Sequence, residues 1–164
     1  MALREPRPAP YRVLPARPEH LDEIARIEED SFRIPWKREF FESELSEPYR
    51  YARVLACDRG TPRVGGYLFA VSLYEEFHIN KIATDPRLRN HGYGRLLLED
   101  ALARARSVRA TAVTLEVRVT NTPAREFYGS YGFHEAYRRK AYYQDGEDAF
   151  AMVLPLEEGP RSKV

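Results

Sequence analysis

The sequence is poor in the residues that form disulfide bonds and zinc sites. It contains one cysteine, Cys57, and four histidines that are scattered without the spacing of metal ligands. An internal disulfide bond and a multi-cysteine zinc site are therefore excluded, and no metal is expected. We predict that Cys57 is a small buried residue near the end of a strand, in a protein whose thiol stays reduced.

A strong net charge and a long apolar run are also absent. The 26 lysines and arginines nearly balance the 25 aspartates and glutamates, so the net charge of +1 gives no electrostatic case for nucleic-acid binding. No apolar run approaches the roughly eighteen residues of a membrane span, and residues 1–10 lack the apolar core of a signal peptide. We expect a cytoplasmic protein with no membrane partner and no direct nucleic-acid partner.

What the sequence does contain is the pattern of one mixed α/β domain. Apolar periodicity predicts the order β-α-α-β-β-β-α-β-α-β-β over residues 11–156, without an internal repeat or an interdomain linker. Residues 1–10, which include three prolines, are predicted to be a flexible tail. The polar residues 157–164 are predicted to be a second tail.

The most informative stretch leads from a strand into a helix. Asp85-Pro86 ends the predicted strand because proline has no N–H for the ladder, and Gly92 and Gly94 precede a leucine-rich helix. The free N–H groups of a helix N-terminus favour phosphate. Four basic residues add positive charge there: Arg87, Arg89, His91 and Arg95. The pattern predicts a phosphate-binding loop, and a tight strand-to-helix connection without a ligand is the alternative.

Two common phosphate loops do not fit this stretch. A P-loop requires Gly-Lys-Ser/Thr, whereas Gly94 is followed by Arg95-Leu96. A dinucleotide fingerprint requires a third glycine at the position of Leu97. The remaining pattern, Arg89-x-x-Gly92-x-Gly94, resembles the R/Q-x-x-G-x-G/A pyrophosphate loop of the GNAT N-acetyltransferases.

The resemblance extends over residues 11–156. Five segments resemble, in order and spacing, the RimI-type ribosomal-protein-alanine N-acetyltransferases of that family. They are SFRIPW, IATDPRLRNHGYGRLLLEDAL, TLEVRVTN, REFYGSYGF and RRKAYYQDGEDAFAMVL. The resemblance implies a splayed, mostly antiparallel mixed sheet flanked by helices. It also implies acetyl-CoA as co-substrate, lodged in a V-shaped opening of that sheet, and no metal.

The resemblance assigns acetyl-CoA contacts to three parts of the chain. Backbone groups of Ile82, Ala83 and Thr84 would meet the pantetheine arm and the thioester carbonyl. Asn121 would add a contact at the start of a helix, where it also fits a simple N-cap role. The pyrophosphate would bind seven consecutive residues: Arg89, Asn90, His91, Gly92, Tyr93, Gly94 and Arg95. Asn90 and Tyr93 replace residues that are commoner in the family, but backbone donors are unaffected by that change.

The same resemblance implies Glu116 as general base and Tyr128 as general acid for direct attack of an amine in a ternary complex. Taken alone, these residues also fit structural roles. Glu116 and Arg118 stand two apart on one strand face and fit a surface ion pair. Tyr128 stands among aromatics at helical spacing and fits a core position.

By resemblance, the acceptor is a protein N-terminus, foremost the N-terminal alanine of a small-subunit ribosomal protein. Five aromatic residues would line its path: Phe32, Trp36, Tyr137, Tyr142 and Tyr143. A hydrophobic clasp at residues 32–36 and ordinary strand packing of the two adjacent tyrosines are equally compatible with the residues. Other functions stay open: acetylation of a small-molecule amine or a lysine side chain, a non-catalytic acyl-CoA sensor, and a ribosome-associated binding module. The oligomeric state is also open.

Overall fold

The computed structural model describes residues 11–46, 48–59 and 62–157. The tail predicted at residues 1–10 lies outside this part of the chain, as does all of the second predicted tail except Glu157. Contacts divide the chain into two compact units. Unit 1 holds the described residues up to Phe69 together with Lys81–Asp100, and unit 2 holds Ala70–Asn80 together with the described residues from Ala101 onward. A single domain over residues 11–156 stays a prediction.

Seven strands form one mixed sheet in the order β1-β2-β3-β4-β5-β7-β6. The pairs β1–β2, β5–β7 and β6–β7 are antiparallel, and β4–β5 is parallel. The elements of the described residues are β1 (Arg12–Pro15), α1 (Leu21–Ser31), α2 (Arg38–Glu44), β2 (Arg50–Ala56), β3 (Val64–Leu73), β4 (Glu76–Thr84), α3 (Tyr93–Ser107), β5 (Ala112–Arg118), α4 (Thr122–Ser130), β6 (His134–Arg139) and β7 (Ala149–Pro155). The predicted fold class, a mixed α/β fold with a mostly antiparallel sheet, is confirmed.

The core of unit 1 forms between α1, α2 and the first strands. Leu21, Ile24 and Ile27 recur at helical spacing and are buried, with at most 1% of each residue exposed. They pack in one cluster with Phe41 of α2 and with aromatic residues of β3. Burial of each such side chain contributes about 1.5–3 kcal/mol to folding. The predicted burial of Cys57 after β2 is also confirmed.

In unit 2, β5 follows the predicted alternation. Val113, Leu115 and Val117 are buried, while Thr114 and Glu116 lie half-buried on the opposite face. The next helix, α4, is capped as predicted because the side chain of the residue before it accepts a hydrogen bond from the Ala124 N–H at 3.2 Å. The half-buried side chains of β5, which include Thr114 and Glu116, therefore share one face of this strand.

Left-handed backbone explains three of the differences between the predicted and the observed element boundaries. α3 begins at Tyr93 rather than Arg95 because Gly92, at φ 79°, ends the turn. Gly94, expected in the turn, instead lies in the first helical turn. β6 stops at Arg139, before Ala141, whose φ of 49° breaks the predicted strand. The sequence predicts the turn between β3 and β4 at Glu75-Glu76, whereas the turn includes Tyr74, whose φ is 55°.

Gly66 of β3 allows the backbone to approach the end of β4. A Cβ at this position would lie 2.7 Å from the Ala83 carbonyl oxygen and 3.1 Å from Leu97. We expect Gly66→Ala to lower the free energy of unfolding by about 1–3 kcal/mol, because backbone must shift to admit the methyl group. Thermal or urea unfolding measures this loss.

Gly129 of α4 is the matched control. A Cβ there meets nothing within 4 Å. Gly129→Ala is therefore expected to raise the free energy of unfolding by about 0.5–1 kcal/mol, since alanine is the better helix former. Equal stability of the two variants would contradict the close approach at Gly66.

Candidate active site

The predicted phosphate loop lies in unit 1, between β4 and α3. Ile82, Ala83 and Thr84 are the last, half-buried residues of β4. Asp85 follows, 1% exposed, and accepts hydrogen bonds from the Arg87 backbone N–H at 2.9 Å and from its guanidinium at 2.9 and 3.1 Å. Burial alone would raise the pKa of Asp85, but the Arg87 hydrogen bonds and charge lower it overall. Arg87 is thus engaged in holding the loop.

The backbone of the loop fits an anion. Asn90 and Gly92 adopt φ values of 65° and 79°, and α3 begins directly afterwards. Successive N–H groups in such alternating conformations, followed by a helix N-terminus, form an anion-binding concavity. A Cβ at Gly92 would meet nothing within 4 Å, so the positive φ, and not a lack of space, is the reason for glycine at this position. This backbone conformation is compatible with the predicted phosphate-binding role of the loop.

The side chains of the seven predicted pyrophosphate residues divide into two kinds. Tyr93 is 6% exposed and packs edge-on against Tyr11 at 5.1 Å, so only its backbone is available to a ligand. His91 Nδ1 lies 2.8 Å from the Arg89 carbonyl oxygen and steadies the turn. Gly94 is half-buried, and the remaining residues are exposed: Arg89, Asn90, His91, Gly92 and Arg95. Their cofactor-binding role stays a prediction, as does that of Asn121, which caps α4 in unit 2.

In unit 2, Glu116 lies at the centre of a polar group. Its Oε2 is 3.0 Å from His78 Nε2, and its Oε1 is 3.5 Å from Arg139 Nε. The other ring nitrogen of His78 is 2.6 Å from the Thr114 hydroxyl. Burial raises the pKa of Glu116, but the hydrogen bond from His78 and the electrostatic interactions with His78 and Arg139 outweigh burial and lower it. Glu116 is therefore a half-buried, ionised carboxylate.

The surface ion pair considered for Glu116 and Arg118 does not form. Arg118 instead lies 2.8 Å from Asp145 and 3.0 Å from Glu147, both in the β6–β7 loop. His78 was not among the candidate residues, although it is the partner of Glu116. Its position is set by the β4–β5 register, which pairs His78 with Thr114, and a single-strand pattern does not reveal that register.

Tyr128 lies on α4, also in unit 2, and is 7% exposed. Its ring packs at 5.7 Å from the ring of Phe133, so it does belong to the core. Burial raises the pKa of Tyr128, and the nearby Tyr143 adds to the rise. The hydroxyl therefore stays protonated at neutral pH and can donate a proton. Both the core role and the proposed acid role are compatible with this position.

Three of the predicted acceptor residues also lie in unit 2. Arg139 contacts two of these tyrosines. Its guanidinium donates a hydrogen bond to the Tyr137 hydroxyl at 3.0 Å and lies 5.6 Å from the centre of the Tyr142 ring. Tyr142 and Tyr143 meet edge-to-face at 5.1 Å. Burial raises the pKa of Tyr143 to about 12. The structure thus brings Glu116 and these tyrosines together around one arginine.

The other two predicted acceptor residues, Phe32 and Trp36, lie in unit 1 between α1 and α2. Trp36 packs at 5.4 Å from the ring of Phe41, which supports the clasp interpretation for one face of this connection. Lys81 Nζ lies 3.6 Å from the centre of the Phe32 ring. The substrate role of both aromatic residues stays a prediction.

Comparisons with known proteins decide the family. Residues 21–133 match the acetyltransferase (GNAT) family. The chain belongs to this family. An N-alpha-acetyltransferase of Sulfolobus acidocaldarius is 35% identical over 159 residues, covering 89% of this chain and 93% of the relative. A ribosomal protein bS18-alanine N-acetyltransferase of Salmonella typhimurium is 32% identical over 134 residues, covering 80% and 88%.

A solved structure agrees with the assignment. The crystal structure of the ribosomal-protein-S18-alanine N-acetyltransferase from Escherichia coli superposes with a TM-score of 0.82 at 27% identity, covering 94% of this chain and 99% of that one. The GNAT fold and the likeness to ribosomal-protein-alanine N-acetyltransferases are confirmed.

Family membership gives the reaction class. The chain is an N-acetyltransferase with acetyl-CoA as co-substrate. Within the described residues, no group of three or more His, Cys, Asp or Glu side chains is arranged to hold a metal ion. No helix in residues 11–46, 48–59 or 62–157 has both the length and the apolar character to cross a membrane.

Glu116→Gln tests the base assignment. We expect kcat to fall about 100-fold, the low end for loss of a general base, with acetyl-CoA binding unchanged. Because the pKa of Glu116 is lowered, its titration lies below the pH range of the assay. In the wild-type enzyme and in Glu116→Gln, kcat/KM should therefore rise with pH as the peptide α-amine, whose pKa is roughly 7.7–8.0, becomes neutral. Steady-state kinetics from pH 6 to 9 measure both effects. Glu135→Gln, at an exposed site of β6, is the control, and unchanged turnover of Glu116→Gln at every pH would remove Glu116 from the base role.

Tyr128→Phe tests the acid assignment. The variant keeps the ring that packs against Phe133, so little loss of stability is expected. The chemical step should slow by roughly 10–100-fold because the proton donor is lost. Single-turnover kinetics measure this step, with Tyr131→Phe on the same segment as control. An enzyme that unfolds at lower temperature and keeps full activity would make Tyr128 structural.

Proposed function

We propose that this enzyme acetylates the α-amino group of a protein N-terminus, foremost the N-terminal alanine of a small-subunit ribosomal protein. The observation that carries the proposal is the Glu116 carboxylate, held by His78 and Arg139 beside three tyrosines. The Salmonella relative is named for acetylation of ribosomal protein bS18, and the Sulfolobus relative for N-alpha-acetylation. Both names support an α-amine as the acceptor.

The chemistry requires a neutral amine. An α-amino group with a pKa of roughly 7.7–8.0 is partly neutral at pH 7, so the enzyme needs only a modest base. Glu116, ionised and half-buried, accepts the proton of the attacking nitrogen, directly or through water. His78 and Arg139 fix both carboxylate oxygens in position.

The thiolate that leaves needs a proton donor. Tyr128 supplies it, because burial keeps its hydroxyl protonated. The amine attacks the thioester directly while both substrates are bound. The only cysteine of the sequence, Cys57, is 4% exposed, which disfavours a covalent acetyl-cysteine route.

Acetyl-CoA would be held by the chain's own backbone. The loop from Arg89 to Arg95 binds its pyrophosphate, and Asn121 adds a contact. Backbone groups of Ile82, Ala83 and Thr84 bind the pantetheine arm, and an N–H among them stabilises the carbonyl oxygen as negative charge develops on it. The left-handed residues Asn90 and Gly92 support this assignment.

We assign five aromatic residues to the acceptor peptide: Phe32 and Trp36 in unit 1, and Tyr137, Tyr142 and Tyr143 in unit 2. Aromatic walls exclude a large first side chain, and tyrosine hydroxyls can hydrogen-bond to the peptide backbone. A small first residue such as alanine fits this environment. The substrate class also implies that the enzyme works in the cytoplasm.

A thiol-release assay with acetyl-CoA and a peptide panel tests the proposal. The panel contains an N-terminal alanine peptide of the organism's own bS18-type protein, the same peptide with a blocked N-terminus, and an internal-lysine peptide. We expect turnover of the free alanine N-terminus and none of the other two. Mass spectrometry should place the acetyl group on the α-nitrogen.

Other outcomes would overturn the proposal in defined ways. Turnover that survives the block would move the acceptor to lysine. Binding of acetyl-CoA without turnover of any peptide would point to a small-molecule amine, or to a sensor that binds without catalysis.

A further inference from the structure

A buried carboxylate of unit 1 has no part in the mechanism above. Glu28 of α1 is 0% exposed, although glutamate is almost never fully buried unless it is paired. Burial of an ionised carboxylate is costly unless every oxygen is satisfied. The burial of Glu28 therefore implies that both of its carboxylate oxygens have hydrogen-bonding or charged partners.

Three partners satisfy the two oxygens of Glu28. Oε1 accepts the Trp36 backbone N–H at 3.1 Å and lies 2.7 Å from Lys81 Nζ. Oε2 accepts the hydroxyl of Tyr67. Burial and the charge of Glu28 raise the pKa of Tyr67, so this hydroxyl stays protonated and donates. The carboxylate thus joins α1 to β3, to β4 and to the connection between α1 and α2.

Lys81 extends this network to the other end of the connection. Its Nζ lies 3.6 Å from the centre of the Phe32 ring and 5.2 Å from that of Trp36. An ammonium group over an aromatic face is attracted to the ring, more strongly when it is desolvated, and the Lys81 side chain is only 13% exposed. Residues 32–37 belong to no helix or strand. Their conformation therefore depends on these contacts.

We propose that Glu28 and Lys81 are positioning residues that hold the Phe32–Trp36 segment in the conformation that receives the acceptor peptide. The inference rests on the proposed function, which assigns this segment to the acceptor. Stability alone is a poor reason for the arrangement, because apolar residues of similar volume often replace a buried ion pair without loss. The presence of the Glu28–Lys81 pair is instead explained if the pair fixes one conformation of the Phe32–Trp36 segment.

Trp36 is the only tryptophan in the sequence, so its fluorescence reports on this segment without any assay of activity. We compare Glu28→Gln and Lys81→Met with Tyr67→Phe. Tyr67→Phe is the control. It keeps both contacts of Glu28 Oε1 but removes the hydroxyl that donates to Oε2, so it is expected to lower Tm by an amount comparable to the other two variants. Acrylamide quenching of Trp36 should increase in the first two variants and stay at the wild-type value in the control.

Kinetics on the alanine peptide supply the second measurement. KM for the peptide should rise about tenfold in Glu28→Gln and in Lys81→Met, because a displaced wall weakens acceptor binding. KM for acetyl-CoA should stay within about twofold, the range of a substitution without a specific effect. The double variant should resemble either single variant, since the two side chains act through one contact.

Two results would overturn the inference. One is an unchanged Trp36 quenching constant in Glu28→Gln, which would mean that the segment does not depend on the carboxylate. The other is a rise of peptide KM in Tyr67→Phe that matches Glu28→Gln, which would reduce the effect to general destabilisation. Failure of the proposed function would be recognised separately, as an inactive wild-type enzyme whose Trp36 still responds to Glu28→Gln.

Discussion

The parallel pairing of β4 with β5 is the constraint on which the catalytic arrangement depends. Parallel neighbours cannot be joined by a hairpin, so the chain needs a crossover. That crossover contains the predicted phosphate loop and α3, whose N-terminus is proposed to bind the pyrophosphate. The same register pairs His78 with Thr114 and thereby brings the imidazole to 3.0 Å from the Glu116 carboxylate. One strand pairing therefore requires the crossover that contains the predicted phosphate loop, and it sets the contact between His78 and Glu116, the proposed base.

The lowered pKa of Glu116 is compatible with its proposed role as a base. A carboxylate hydrogen-bonded to His78 and paired with Arg139, with its pKa lowered, is a weak acceptor for the proton of a free ammonium ion. The α-amine, however, supplies its own neutral fraction at pH 7, and a nitrogen that has begun to bond to carbon loses its proton far more readily. The His78 and Arg139 contacts are then useful because they fix the direction of the carboxylate and keep it ionised.

The sequence was sufficient for the element order and the fold class, because periodicity, glycines and prolines are local features. Glu116 could be singled out as a base only through the family resemblance of its segment, since the residue pattern alone also fits a surface ion pair with Arg118. It was not sufficient for the start of α3 or the end of β6, which depend on left-handed residues such as Ala141. Nor did it reveal His78 beside Glu116 or Lys81 beside Glu28, because strand register and helix packing bring these pairs together over long sequence separations.

The two aromatic segments assigned to the acceptor follow one physical rule. Residues 32–37 in unit 1 and Tyr142 and Tyr143 in unit 2 lie outside the helices and strands, and a carboxylate contributes to the support of each of these segments. In unit 1, Glu28 accepts the Trp36 N–H. In unit 2, Glu147 accepts the Thr120 N–H at 3.1 Å and pairs with Arg118, whose guanidinium lies 4.0 Å from the Tyr143 ring. A site built on loops needs such supports to keep its geometry, and charged hydrogen bonds provide them where packing alone would leave several conformations open.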